Sequence, residues 1–218
     1  MALGILLKNT ALVDQTKILY NTAPAFPIFR RGAVIEGPVE GEKLQTLQIC
    51  RQLGNFRPPD IQLQALLRIC GLPLGRVYIA RCHNTIVGYI AFHKPDDEHY
   101  WGFHDSLVEM GAIEVSEKWR RCHIATDLLQ YIFDHSIWGK YIVIGFHCYR
   151  HWDLKGTNLS LWQYRDMLHR LMTRVDFMPA FTTLYDIAAH PANMLMARRG
   201  AQVSGNDWLL FKEIAASF

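Results

Sequence analysis

The residues best suited to chemistry lie between Gly111 and Leu129, where the chain reads GAIEVSEKWRRCHIATDLL. An apolar strand runs into a short basic turn, and the turn opens a helix. A helix start leaves backbone N–H groups unpaired and carries a partial positive charge. It therefore suits an anion such as a pyrophosphate. Arg120 and Arg121 add charge there, and Thr126 offers a hydroxyl. The plainer reading is an amphipathic helix with a basic first turn, an arrangement that is unfavourable unless an anion compensates it. Glu114 sits inside the apolar strand, where a half-buried carboxylate is a candidate general base. It also suits a structural ion pair with an arginine.

The surrounding elements must hold these groups in place. Residues 17–37 read as extended, and 40–53 carry apolar residues at helical spacing up to Gly54. A second helix runs through Leu63, Leu66 and Leu67 and closes at Gly71 and Pro73. Residues 76–82 and 85–93 form a hairpin around His83-Asn84. Residues 94–104 read as a loop, 111–116 as a strand and 120–135 as a long helix striped by Ile124, Leu128, Leu129, Ile132 and Phe133. The apolar run 141–146 is a buried strand, 161–172 is a helix, and a last helix starts near Pro191 and stops at Gly200. Residues 208–211 close the chain as a strand. This order gives an α/β (mixed α+β) fold with a central mixed sheet and helices on both faces.

Composition narrows the functional classes. The chain has 218 residues, half of them hydrophobic, and a formal charge of +3. That fits one large domain, and the charge is too small to argue for nucleic acid. The tryptophans and tyrosines read as packing rather than as a base-stacking platform. The five cysteines are odd in number and none has CxxC spacing, which points to reduced thiols in the cytoplasm. The apolar start at 2–7 is too short for a signal peptide or a membrane span. His147 and His151 are spaced like a helical metal pair, but they straddle a strand end without a third ligand, so no metal is expected. Oligomeric state, including a homo-oligomer, stays open.

The stretch 111–129 resembles motif A of the GNAT acyl-CoA N-acyltransferases, R/Q-x-x-G-x-G/A, here Arg120-x-x-His123-x-Ala125. His123 replaces the first glycine, and its Cβ should crowd a phosphate. Further blocks occur in the order found in the acetoin-utilization (AcuA) family of GNAT proteins. They are IEGPV at 35–39, FRPP at 56–59, TIVGY at 85–89, HWDLKG at 151–156 and HPAN at 190–193.

The resemblance implies a GNAT fold with a mostly antiparallel mixed sheet and acetyl-CoA as co-substrate. It places the coenzyme against Val115, Arg120, Arg121, Cys122, His123, Ile124, Ala125, Thr126 and Asn193. It also implies that the strand before the motif parts from its neighbour, freeing N–H groups near Ile113–Val115 for the thioester. Glu109 stands at the spacing where related enzymes carry their base, with Glu114 as second candidate. Strand alternation puts these two on opposite faces unless a bulge intervenes. Asn193 would open the last helix, unless it merely caps it. Met196 falls where many GNAT enzymes have a tyrosine near the sulfur.

Residues 150–181 read as an insertion into a single domain spanning 1–218. By resemblance, the protein substrate is acetyl-CoA synthetase, inactivated by acetylation of a lysine. Acetylation of a small amine, or a non-catalytic acetyl-CoA-binding regulator, are the rival readings.

Overall fold

The structure, a computed structural model, describes residues 27–30, 32–95 and 105–218. The extended stretch expected at 17–26 and most of the loop expected at 94–104 lie outside the described residues.

Nine strands among the described residues form one sheet. They are β1 (Ile28–Arg30), β2 (Ala33–Glu36), β3 (Gln48–Ile49), β4 (Arg76–Cys82), β5 (Thr85–His93), β6 (Leu107–Val115), β7 (Ile142–His147), β8 (Met178–Ala180) and β9 (Met194–Arg199). The sheet order is β1-β2-β4-β5-β6-β7-β9-β8, with β3 pairing separately with β5. Only β6–β7 and β3–β5 are parallel. The helices are α1 (Gly41–Gln45), α2 (Pro59–Cys70), α3 (Ile124–Phe133), α4 (Leu154–Thr157), α5 (Leu161–Thr173), α6 (Tyr185–Ala188) and α7 (Gly205–Ala215). No helix among the described residues is long and apolar enough to cross a membrane.

Strand alternation divides the core. Tyr78, Ile90, Phe92, Val143, Met194 and Met196 pack on one face with Ile124, Leu128 and Ile132 of α3 and Leu168 and Met172 of α5. Ile79, Tyr89 and Ala91 face the other side, beneath Leu44 of α1 and Leu66 of α2. Farther along that side, Ile142, Ile144, Leu195 and Ala197 are covered by Ile187 of α6 and Phe211 and Ala215 of α7. Each fully buried aliphatic side chain contributes roughly 1.5–3 kcal/mol to holding these layers together.

The hairpin and the 161–172 helix match the sequence expectation, and α5 carries the capping box of Ser160 and Gln163 that starts it. Several elements differ. Residues 40–53 are helical only over Gly41–Gln45, and Gln48–Ile49 pairs with Thr85–Ile86 instead. The long helix begins at Ile124, because Arg121 and His123 both adopt left-handed backbone (φ 63° and 60°) that no helix can include.

The helix expected from Pro191 is strand β9. Its apolar run is buried on both faces between β7 and β8, which a surface helix could not achieve. The strand expected at 208–211 is part of α7. Ser204 accepts from the Asp207 N–H as an N-cap, and the spacing of Phe211, Ile214 and Ala215 is helical. Residues 150–181 therefore fall within the connection from β7 to β9, and their Leu168, Met172, Val175 and Phe177 belong to the main core.

Two irregularities of β6 shape the site. Phe92 pairs with Met110 and Ala91 with Ala112, so Gly111 is an extra residue in β6. This bulge resets the alternation: Val108 and Met110 before it share a face with Ile113 and Val115 after it. The β6–β7 ladder covers only Leu107–Glu109 against Ile142–Ile144. Beyond that point β6 continues to Val115 on β5, while β7 continues to His147 on β9.

Candidate active site

A cleft of about 830 Å³ opens beside the free end of β6, on the α3–α5 side of the sheet. Ile113, Glu114 and Val115 form its floor. Arg121, His123, Ile124, Ala125 and Thr126 form one wall at the start of α3. Tyr164, Met167, Leu168 and Leu171 of α5 form the opposite wall, and Asp153 and Gly156 lie at its edge. With β5 on one side of β6, alternate N–H and C=O groups of Ile113–Val115 point toward the gap that β7 leaves.

No side chain caps α3, so its first N–H groups remain available to a ligand. His123 stands at the position where the motif has glycine, and its φ of 60° explains why glycine is the usual residue there. His123 itself is exposed and lines the cleft. The start of α3, Thr126 and Arg121 line this part of the cleft together.

Arg120 lies at the cleft but is already engaged. Its Nη2 donates to Asp153 Oδ2 at 2.6 Å and its Nε to the Val115 carbonyl at 3.3 Å. Asp153 also accepts from the Gly156 N–H at 2.8 Å. Burial alone would raise the Asp153 pKa, but the Gly156 N–H and the Arg120 guanidinium outweigh it and hold the carboxyl below its usual value. A Cβ at Gly156 would press on the Asp153 carboxylate and the Arg120 guanidinium, so a side chain there would shift the pair. The HWDLKG block thus folds α4 over the motif arginine. Nothing in its local sequence announces a partner 33 residues away.

Glu114 lies at the edge of the floor, and its buried side chain turns to the α2 face of the sheet beside Tyr89. Its carboxylate accepts from the Asn55 N–H at 2.9 Å and from the Tyr89 hydroxyl at 2.7 Å, so these partners replace the arginine considered from sequence. Burial first, and the Glu114 charge second, push the Tyr89 phenol far above its ordinary pKa and keep it a donor. Asn55 Nδ2 donates to the His151 carbonyl at 2.5 Å. Glu114 therefore pins the loop before α2 against the loop after β7.

Glu109 is half-buried at the last rung of the β6–β7 ladder, opposite His93 and Ile144. Because of the Gly111 bulge it faces the same side of the sheet as Glu114, not the opposite side that simple alternation requires. Glu109, Cys122 and Asn193 are not among the residues lining the cleft.

Asn193 precedes β9 rather than opening a helix. Its Oδ1 accepts from the Tyr149 N–H at 2.9 Å and its Nδ2 donates to the Asp186 carbonyl at 2.7 Å, tying two loops together. Met196 is fully buried in β9. The phenol at the cleft is that of Tyr164, stacked on Trp152 at 5.2 Å. Its signal in the sequence is the helical stripe Tyr164–Met167–Leu168–Leu171. His147 is buried with Nε2 unpartnered, and burial pushes its pKa down to about 4, whereas His151 is exposed. No group of three or more metal-ligating side chains occurs among the described residues.

The model of the acetyltransferase (GNAT) family matches residues 44–157, more than half of the chain. The chain belongs to the GNAT acetyltransferase family. This GNAT protein is accordingly an N-acetyltransferase, and acetyl-CoA is the family's co-substrate. It is 42% identical to the acetoin utilization protein AcuA of Bacillus licheniformis over 177 residues, 80% of this chain and 84% of that protein. It is 41% identical to AcuA of Bacillus subtilis over 173 residues, 78% and 82% of the two chains. The crystal structure of an acetoin utilization protein from Exiguobacterium sibiricum superposes with a TM-score of 0.82 at 36% identity, covering 84% of this chain and 88% of that one.

Proposed function

We propose that this GNAT enzyme transfers the acetyl group of acetyl-CoA to a lysine side chain of acetyl-CoA synthetase, inactivating the synthetase in the service of acetoin and acetate metabolism. The observation that carries the transfer chemistry is the parting of β6 and β7 beside an uncapped helix start. The pyrophosphate is received by Arg121 and the N–H groups of residues 123–126, and the pantetheine arm runs along Ile113–Val115. Arg120 braces the turn through Asp153. The thioester carbonyl takes a β6 N–H as it becomes an oxyanion.

A lysine amine has a pKa near 10.4, so a base must remove its proton before attack. Glu109 serves as that base, at the point where the two strands part. Glu114 holds the Asn55 loop in position. Tyr164, whose phenol burial keeps protonated, is the donor at hand for the departing thiolate. A thiol pKa near 8.5 makes that assistance modest.

The choice of acceptor draws on the similarity to AcuA proteins. Acetylating a catalytic lysine removes a positive charge from the partner's site, which accounts for inactivation. The five free cysteines support a cytoplasmic setting. The deciding experiment mixes the protein, acetyl-CoA and acetyl-CoA synthetase, then maps acetyl-lysine by mass spectrometry. One dominant modified lysine with loss of synthetase activity is expected. An unmodified synthetase would remove it as the substrate.

A further inference from the structure

We propose that His93 is a proton-relay residue of the acceptor site, receiving on Nε2 the proton that Glu109 takes from the attacking amine. This rests on the lysine-acetylation reading above.

The tautomer follows from the hydrogen bond. His93 Nδ1 lies 2.8 Å from the Lys94 carbonyl oxygen, which can only accept. Nδ1 therefore carries the proton, and the neutral ring keeps its lone pair on Nε2. That atom points at the bulge of β6, where a Cβ on Gly111 would stand 2.7 Å from it. The missing side chain at the bulge leaves room for the imidazole. Glu109 is directly opposite His93 in the β5–β6 ladder. Side chains so paired project from Cβ atoms about 4.5–5.5 Å apart on the same face. The bulge thus provides for both groups: it makes space for the ring and keeps Glu109 on the side that Glu114 also faces.

The chemistry benefits from a second group. An imidazole is intrinsically a stronger base than a carboxylate, so a proton taken by Glu109 passes readily to the His93 ring. In the step, an ammonium N–H bond breaks and the proton passes to Glu109 and then to His93 Nε2. The amine lone pair forms the N–C bond, the C–S bond breaks with its electrons on sulfur, and the thiolate takes up the second proton, which the nitrogen releases as the amide forms. The imidazolium then returns its proton to solvent. Among the described residues, Glu109 lies opposite His93 on β6 and Lys94 follows His93 at the end of β5. On α2, which covers this face, Asp60 and Arg68 are exposed and Cys70 Sγ bonds to the Val39 carbonyl. Before α2, Arg57 bonds to Gln62.

The test joins spectroscopy to kinetics. In ¹⁵N NMR of the full chain, His93 should be the Nδ1–H tautomer, and Glu109→Gln should move its Nε2 resonance as the carboxylate opposite it is neutralised. With acetyl-CoA synthetase as acceptor, His93→Asn should cut kcat at least about tenfold. The KM for acetyl-CoA should stay within about twofold, and the acidic limb of the kcat/KM profile should be lost. His93→Gln, a second variant filling the ring's space, should behave alike. An Nε2–H tautomer, a His93 Nε2 resonance indifferent to Glu109→Gln, or a slower variant that keeps the acidic limb would each overturn the relay. If the parent enzyme leaves the synthetase unmodified, the substrate reading fails, and the NMR measurement still decides the role of His93.

Discussion

Replacing His123 by glycine should stabilise the protein and leave acetyl-CoA binding intact or improved. His123 holds φ at 60° immediately before α3. For a residue with a Cβ, the left-handed conformation costs about 1–2 kcal/mol. Glycine removes that cost but gains unfolded-state freedom worth roughly 0.5–1 kcal/mol. The net expectation is a gain of about 0.5–1 kcal/mol. For a chain of this size that corresponds to a rise in Tm of about 1–4 °C. His123→Ala is the informative control, because it removes the imidazole and keeps the Cβ, so it should show no such rise. Thermal unfolding followed by circular dichroism measures the stability, and calorimetric titration with acetyl-CoA measures the binding. A Tm for His123→Gly at or below that of His123→Ala would refute the strain argument. Weakened acetyl-CoA binding would show that the imidazole itself holds the coenzyme.

Other outcomes follow from the same geometry. Arg121→Glu should weaken acetyl-CoA binding about tenfold or more in calorimetry, since it reverses a charge beside the helix start; unchanged affinity would move the pyrophosphate elsewhere. Glu109→Gln should lower kcat about a hundredfold with acetyl-CoA affinity intact, whereas Glu114→Gln should chiefly raise the KM for the acceptor by loosening the Asn55 loop; the reverse pattern in steady-state kinetics would exchange their roles. His147 is held neutral in the folded protein, so its contribution is complete above the unfolded pKa of about 6.5 and is lost as pH falls toward about 4. The pH-dependent loss is on the order of 3 kcal/mol, and urea unfolding of His147→Met should show a flatter pH dependence across that window. Trp162 is 52% exposed on α5, and Trp162→Ala should weaken co-elution with acetyl-CoA synthetase while sparing acetyl-CoA binding; full co-elution would place the docking surface away from 150–181.

Local signals were sufficient for much of this molecule. The hairpin of β4 and β5, the apolar β7 and the stripe of α3 each follow from periodicity within a single element. The proposal that residues 120–126 receive an anion rests likewise on charge at a helix start. Where two readings share one local pattern, tertiary burial decided. Met194–Ala197 is apolar enough for either a helix or a strand, and only its place between β7 and β8 makes it β9. The Ser204 cap outweighed the apolar run at 208–211.

The site depended most on relations that sequence spacing does not encode. Asp153 reaches Arg120 and Asn55 reaches Glu114 only after the chain has folded. One extra residue at Gly111 turns Glu109 to the face that Glu114 also occupies, against the period of two that the sequence by itself dictates. The sequence determined which groups could bind an anion or take a proton. The bulge, the parted strands and the walls built by α3 and α5 determined which of them share a site, because register and strand divergence are properties of pairing between distant segments.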